Sequence, residues 1–330
     1  MTEKPKETKL EDLLEPCSEE ELKTRTMFKK DFKLSCPVLD DNEIFQKALK
    51  IAKLESEWED YYELAYHHPN LDEFRRNLVS EIITKIKSMP EYKLVQNVDK
   101  SEYKQYPTSH TYLSDQNVGK NLISIDLISG NYQSLKYFGD NLVLGTDNYS
   151  DFIKQFTKEP SLIRSKYFRQ LVFGLLKPRV FITVQKYMIA HIIDALFKKR
   201  EFPIVNLTND EVVFESGKTS QEVEADKEFI RQTLAEAQIP YQFRVDDFNI
   251  EKIPNFYNEP WYVKYSELQG RRIMGVHLKY LYQVYNHMEK IPNQPKDFWW
   301  RERGRLCCLL DAEKFDPPPT QTQTQTQKQS

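Results

Sequence analysis

The sequence predicts an α+β protein, with a small antiparallel sheet backed by helices and an N-terminal helical region before it. Three observations carry that expectation. Residues 42–90 place apolar side chains at three- and four-residue steps, Leu122–Leu127 is a short apolar run, and Ile204–Glu215 is two apolar halves about a polar centre. A chain of 330 residues has room for about two domains. With 39% hydrophobic and 13% aromatic residues, it has the means to bury a core.

Taken in order, residues 1–25 are charge-dense and read as a disordered tail. Residues 26–118 form the helical region. There Phe45, Leu49, Ala52 and Leu54, and then Phe74, Leu78, Ile82, Ile83 and Ile86, line apolar helix faces. Asn70 or Asp72 caps the second of these helices and Pro90 closes it. A tyrosine-rich link runs from Tyr92 to Tyr112. Residues 119–316 form a second domain with a C-terminal extension. Leu122–Leu127 (LISIDL) is its buried strand, and residues 131–138 and 147–157 read as helices. A helical zone at 161–199 is interrupted at Lys177-Pro178, because proline cannot continue a helix cleanly. Residues 204–215 then form a strand–turn–strand hairpin, 221–238 an amphipathic helix and Tyr241–Val245 a strand. The stretch 260–312 is aromatic and basic, with a helix at 276–289. Residues 317–330 (PPPTQTQTQTQKQS) are a low-complexity tail.

Composition excludes several function classes. Only nine glycines occur, with no G-x-G-x-x-G and no G-x-x-x-x-G-K-[ST], so a glycine-rich nucleotide cradle has no basis. A net charge of −3 argues against a uniformly basic coat. The N-terminus is charged where a signal peptide needs an apolar stretch, and the apolar runs fall short of the roughly 20 residues that span a bilayer. Cys17, Cys36, Cys307 and Cys308 match neither a zinc knuckle nor a disulfide scaffold, which points to reduced thiols and an intracellular, membrane-free setting. No H-x-x-x-H or H-E-x-x-H and no G-x-S-x-G is present. His67-His68 read as surface residues, and His191, on the apolar face of Met188, Ile189, Ile192 and Ile193, as a satisfied core histidine. The run Trp299–Arg305 interleaves aromatics with arginines. It reads either as a base-stacking segment or as a tryptophan-anchored helix with its arginines in water.

One constellation carries chemistry. Asp126 ends an apolar strand, and Asp210 and Glu211 sit at the tip of the hairpin. Between them, residues 158–201 hold ten Lys or Arg against three Asp or Glu, a local excess of seven positive charges. Carboxylates on neighbouring strands supply the hard oxygen ligands that Mg²⁺ demands. Two such ions, about 3.5–4 Å apart, stabilise the attacking and leaving oxygens of a phosphoryl transfer, and nearby cations neutralise a triphosphate or a nucleic-acid backbone. The same pattern is also that of acidic turn residues beside a solvated basic helix.

The segments resemble family A DNA polymerases of the bacterial repair and phage replicative type. Ile204–Glu215 (IVNLTNDEVVFE) looks like that family's QVHDELVFE hairpin, with Asn209 in place of the histidine. Arg169–Leu176 (RQLVFGLL) is similar to the fingers helix R-x-x-x-K-x-x-x-F-G-x-x-Y-G. On that match Arg169 stands where a lysine contacts the triphosphate, Phe173-Gly174 match F-G, and Lys177-Pro178 replace Y-G. The upstream arginine falls at Ser165, flanked by Arg164 and Lys166. Asp126 with LISGNYQSLKYF resembles the strand ending in D-Y-S-Q-I-E-L-R, with Asn131 or Ser134 near the place of the glutamate that screens out ribose. EADKEFIRQTLAEAQIPYQFRVDD is similar to the helix and strand that follow the hairpin. The likeness covers 119–248, in the family's order. Only 41 positions separate Arg169 from Asp210, so what it resembles is a reduced palm.

The resemblance implies a nucleotidyltransferase extending a nucleic-acid 3′ end. Asp126 and Asp210 would bind Mg²⁺, and Glu211 would act with them as a catalytic residue. Lys166, Arg169, Phe173 and Lys177 would bind substrate. Its partners would be a primer-template or single strand, nucleoside triphosphates, and proteins supplying the missing functions. The alternative is a catalytically inactive nucleic-acid-binding or assembly subunit on the same palm.

Overall fold

The computed structural model describes residues 17–308, apart from 35, 37–38, 100, 102, 104–105, 109–110, 140–141, 254–260, 269, 275–279, 295–296, 298 and 303–304. The expected tail at 317–330 and the first 16 residues of the N-terminal one lie outside the described residues. By internal contact the chain forms two compact units. One comprises residues 1–58, 256–258 and 276–330, and the other 59–255 and 259–275. These units are drawn differently from the sequence regions 26–118 and 119–316.

The first unit contains α1 (Glu19–Phe32), α2 (Asn42–Ala52), the start of α3 (Glu55–His67), α12 (Leu281–Glu289) and the paired strands β7 (Trp299–Glu302) and β8 (Arg305–Cys308). α1 begins inside the segment read as a tail. The Ser18 hydroxyl caps it by accepting from the Glu21 amide, and Phe28 buries its ring edge-on to Trp58. Phe45 meets the same tryptophan, with the Arg25 guanidinium 4.3 Å above the Phe45 ring. Of the run Trp299–Arg305, Trp299–Glu302 and Arg305 are strand backbone rather than helix; their side chains lie outside the described residues. Cys17 and Cys36 form no disulfide.

In the second unit the rest of α3 leads to α4 (Leu71–Ser88) and α5 (Tyr92–Gln96). Then come β1 (Leu122–Leu127), α6 (Gly130–Lys136), α7 (Tyr149–Lys154), α8 (Pro160–Arg164), α9 (Lys166–Gly174) and α10 (Pro178–Phe197). β2 (Ile204–Leu207) and β3 (Glu211–Glu215) form the expected hairpin, followed by α11 (Ser220–Glu236), β4 (Phe243–Ile253), β5 (Trp261–Ser266) and β6 (Gly270–Met274). The helical zone expected at 161–199 is three helices. Ser165 starts a new one by accepting from the Phe168 amide at 2.9 Å, and Pro178 starts the last. α11 carries a full capping box, Thr219 with Glu222.

The six strands form one antiparallel sheet in the order β2-β3-β1-β4-β5-β6. Alternation along β1 divides its residues between two faces. Ile123, Ile125 and Leu127, with Val212, Phe214 and Val245, are buried on the face that α10 and α11 cover. Phe197 of α10 packs on Phe214, and α11 packs on β4. α10 is long and apolar enough to cross a bilayer, against the sequence expectation, but 67% of its most apolar window is buried within the protein. It is thus the core helix behind this sheet.

The opposite face is divided along its length. Leu122, Val213, Phe248, Ile250 and Tyr262 form an apolar cluster, covered by Tyr112, Leu113 and Met274. Beyond it, register places Ser124, Asp126, Glu211, Arg244, Asp246, Lys264 and Arg272 on the same face. The candidate site is this polar end.

Candidate active site

Asp126 is the fifth of the six residues of β1, and its direct partners are Glu211 on β3 and Arg244 on β4. Directly opposed residues on one face lie about 4.5–5.5 Å apart at Cβ, so these three groups are placed together by the sheet itself. Asp210 precedes β3 in the hairpin turn and is exposed. Its carbonyl accepts from the Leu127 amide at 2.9 Å, tying the hairpin tip to the end of β1. The Thr208 hydroxyl donates to Asp210 Oδ1 at 3.3 Å and accepts from the Glu211 amide at 3.1 Å, which shapes the turn. Gly130, at the start of α6, gives this turn room. A Cβ there would stand 3.2 Å from Gln185 Cδ and 3.5 Å from Asp210 Cβ.

Burial raises the Asp126 carboxyl above its ordinary pKa. Arg244 opposes the shift, Asp210 adds to it and Lys166 opposes it again. Arg244 Nη2 donates to Asp126 Oδ2 at 2.6 Å. Glu211 is likewise raised, first by burial, with Lys264 opposing and both Asp126 and Asp210 adding to the rise. Lys264 is pulled down by burial against the pull of Glu211 and Asp246, and its ammonium lies 3.8 Å from the Phe248 ring centre. The Asp246 carboxylate accepts from the Ser266 hydroxyl at 2.7 Å.

The expected cations are divided. Arg169 of α9 donates from Nη1 to the Ser129 hydroxyl at 3.1 Å and lies 5.3 Å from the Tyr149 ring; burial lowers its pKa, with Tyr149 and then Asp126 opposing the shift. Ser129 holds a left-handed backbone at φ 56°, a strain that clusters at functional turns. Lys166 is exposed within electrostatic reach of Asp126. Phe173, expected to touch substrate, is instead core. It is 1% exposed, with ring centres 6.2 Å from Tyr149 and 6.0 Å from Phe181, because the inward face of α9 needs an apolar anchor. Lys177 is exposed at the start of α10, and no hydrogen bond or ion pair joins it to the carboxylates among the described residues. Ser134 is fully buried, donating to the Gly130 and Phe181 carbonyls, so Asn131 is the group left near the site; its Oδ1 accepts from Gln185 Nε2 at 2.7 Å. His191 is exposed rather than core, with Nδ1 3.3 Å from the Tyr241 hydroxyl.

Sequence reasoning missed Arg244, paired with Asp126, and Lys264, within electrostatic reach of Glu211. The alternation of Trp261–Ser266, with Lys264 as a charge within an aromatic strand, was the available signal. A second acidic group, Glu224, Asp247 and Glu267, presents oxygens within 4.8 Å of one another. It is filled by the chain itself, since Lys227 Nζ donates to these residues at 2.6, 2.6 and 3.2 Å. Asp126, Asp210 and Glu211 offer the hard oxygen donors that a divalent ion takes, but among the described residues only the Glu224, Asp247 and Glu267 group brings three such atoms within 4.8 Å of one another. Burial and neighbouring charge hold the Asp126 and Glu211 carboxyls above their ordinary pKa, a cost that a bound cation would relieve. No protein-family model matches the chain, and no curated protein or solved structure matches it.

Proposed function

We propose that the protein is a nucleotidyltransferase that uses divalent metal to extend a nucleic-acid 3′ end on a reduced palm-like sheet. The observation that carries this reading is the register pairing of Asp126 with Glu211, with Asp210 bonded back to Leu127 beside them. Asp126 and Asp210 would hold Mg²⁺, and Glu211, opposite Asp126, would support that shell. When bound, Mg²⁺ supplies charge stabilisation at the attacking and leaving oxygens of an in-line displacement. Arg169 and Lys166 would neutralise the triphosphate, with Arg169 fixed in place by Ser129 and Tyr149. Phe173 supports α9 from the core and takes no part in binding. The reading carries with it an intracellular setting and a primer-template or single-strand partner.

The test is Mg²⁺-dependent incorporation of labelled nucleotide on primed DNA and RNA. Asp126→Asn and Asp210→Asn are each expected to lower the rate by about 100-fold or more, the scale of losing charge stabilisation in a transition state. Incorporation unchanged by either substitution would overturn the site.

A second reading is favoured by the Arg244–Asp126 pair and by Lys264 beside Glu211. Here the chain's own cations replace the metal, and the sheet serves as a nucleic-acid-binding or assembly subunit. Absence of incorporation, with retained salt-sensitive nucleic-acid binding, would support it.

A further inference from the structure

Asp126 already faces a cation. β1 lies between β3 and β4, so its carboxylate has an acid on one side, Glu211, and a guanidinium on the other, Arg244. The contact of 2.6 Å between Arg244 Nη2 and Asp126 Oδ2 is a short, charge-assisted hydrogen bond. Among the described residues, Asp126 is the one side chain that accepts a hydrogen bond from Arg244. The arginine side chain is 40% exposed and the Asp126 side chain 28%, so the pair reaches solvent on one side, while Arg244 Nε is buried and makes no hydrogen bond that would hold the guanidinium there. A carboxylate oxygen engaged by a guanidinium is a poor ligand for a second cation, because the two positive charges repel across a few ångströms. Mg²⁺ in addition requires near-ideal geometry around its oxygens.

We infer that Arg244 is a built-in counterion that competes with a divalent cation for Asp126, so that metal entry requires the guanidinium to swing out of the site. This inference rests on the metal-site reading of Asp126 and Asp210 given above. Arg244 acts through Asp126 and is a positioning residue. A site whose competent form is a minor population shows an affinity reduced by that fraction. If the paired form holds about nine-tenths of the molecules, removing the guanidinium tightens binding about tenfold.

The experiment measures Mn²⁺ binding to the full chain by the loss of the free-ion electron spin resonance signal, with no substrate present. Arg244→Gln and Arg244→Ala remove the same charge in two ways, so one variant serves if the other fails to fold by circular dichroism. Arg244→Lys keeps the charge. The expected result is binding about tenfold tighter in the Gln and Ala variants and near the unsubstituted value in the Lys variant. Adding Asp126→Asn to the Gln or Ala variant should abolish the gain. Equal affinity across all Arg244 variants overturns the competition, yet leaves the metal site standing if Asp126→Asn alone weakens binding. A gain that survives Asp126→Asn also overturns it, because the cation then binds elsewhere. Failure of every variant to bind Mn²⁺ overturns the inference and the metal-site reading together.

Discussion

Two acidic clusters lie on opposite faces of one strand. Asp246 and Asp247 are neighbours on β4, and alternation sends them to different sides of the sheet. On the helix-covered side, Asp247 joins Glu224 and Glu267 around Lys227, whose side chain is 5% exposed and whose ammonium is bonded to all three. On the other side, Asp126 and Glu211 share a surface with Arg244 and Lys264, with Asp210 in the adjoining turn, and among the described residues Asp126 is the one of the three acids with a short ion pair. The first cluster is closed, with hydrogen bonds holding the lysine charged and its pKa well above the ordinary value. In the second, the Asp126 and Glu211 carboxyls are pushed toward protonation by burial and by the charge of Asp210. A group of carboxylates becomes a candidate site when its charge is left partly uncompensated, and number and proximity alone do not decide this.

The largest expected effect breaks the closed cluster. Lys227→Met removes a buried cation from three acids, and breaking a buried pair costs about 3–5 kcal/mol. Because Glu224 and Glu267 are mostly exposed, the loss should be nearer about 2–3 kcal/mol in urea unfolding at pH 7. The same variant should gain stabilisation by Ca²⁺ that the unsubstituted chain lacks. A Ca²⁺ response equal in both would remove the distinction between the clusters.

A smaller effect of opposite sign is expected in the open cluster. The folded-state pKa of Glu211 lies above its unfolded value, so ionisation works against the fold. This penalty is absent below the ordinary carboxylate range, grows as pH rises through the folded value and is complete above it. Glu211→Gln should therefore stabilise the protein by about 0.5–1 kcal/mol at pH 7, with the gain fading toward about pH 4. Urea midpoints measured across that range check both sign and window. A gain that grows on acidification would contradict the assignment.

Asp126→Asn should change stability least, by less than about 0.5 kcal/mol, because relief of burial offsets the lost bond to a half-exposed Arg244. Paired with the expected loss of incorporation, that near-zero shift would separate a functional group from a structural one. A large drop in the urea midpoint would instead place Asp126 with the closed cluster.

Much of the sheet is legible locally. LISIDL announces β1 by its unbroken apolar run, the Asn-Asp-Glu centre announces the β2–β3 hairpin, and Asp126, Asp210 and Glu211 follow from those two segments. The cations of the site are not legible in this way. Arg244 reaches Asp126 only through register across 118 positions, and no local period encodes that distance. β4 runs to Ile253, well past the strand expected at Tyr241–Val245, because its outer half is bonded to β5 rather than marked by its own pattern. Phe173 matches a substrate-contact motif only by likeness, whereas its burial follows from the apolar stripe of α9, with Phe168 and Val172.

The central position of β1 also has a consequence for synthesis. It precedes both of its neighbours in the chain, and Asp126 must wait 85 residues for Glu211 (211 − 126) and 118 for Arg244. Closing such long loops is slow relative to local helix formation. While α6 to α10 emerge from the ribosome, LISIDL has no strand on either edge. Translation at about 5–20 residues per second leaves that apolar strand unpaired for seconds. The segment that builds the candidate site is thus the one most exposed to chaperones, or to a second nascent chain, before the protein is complete.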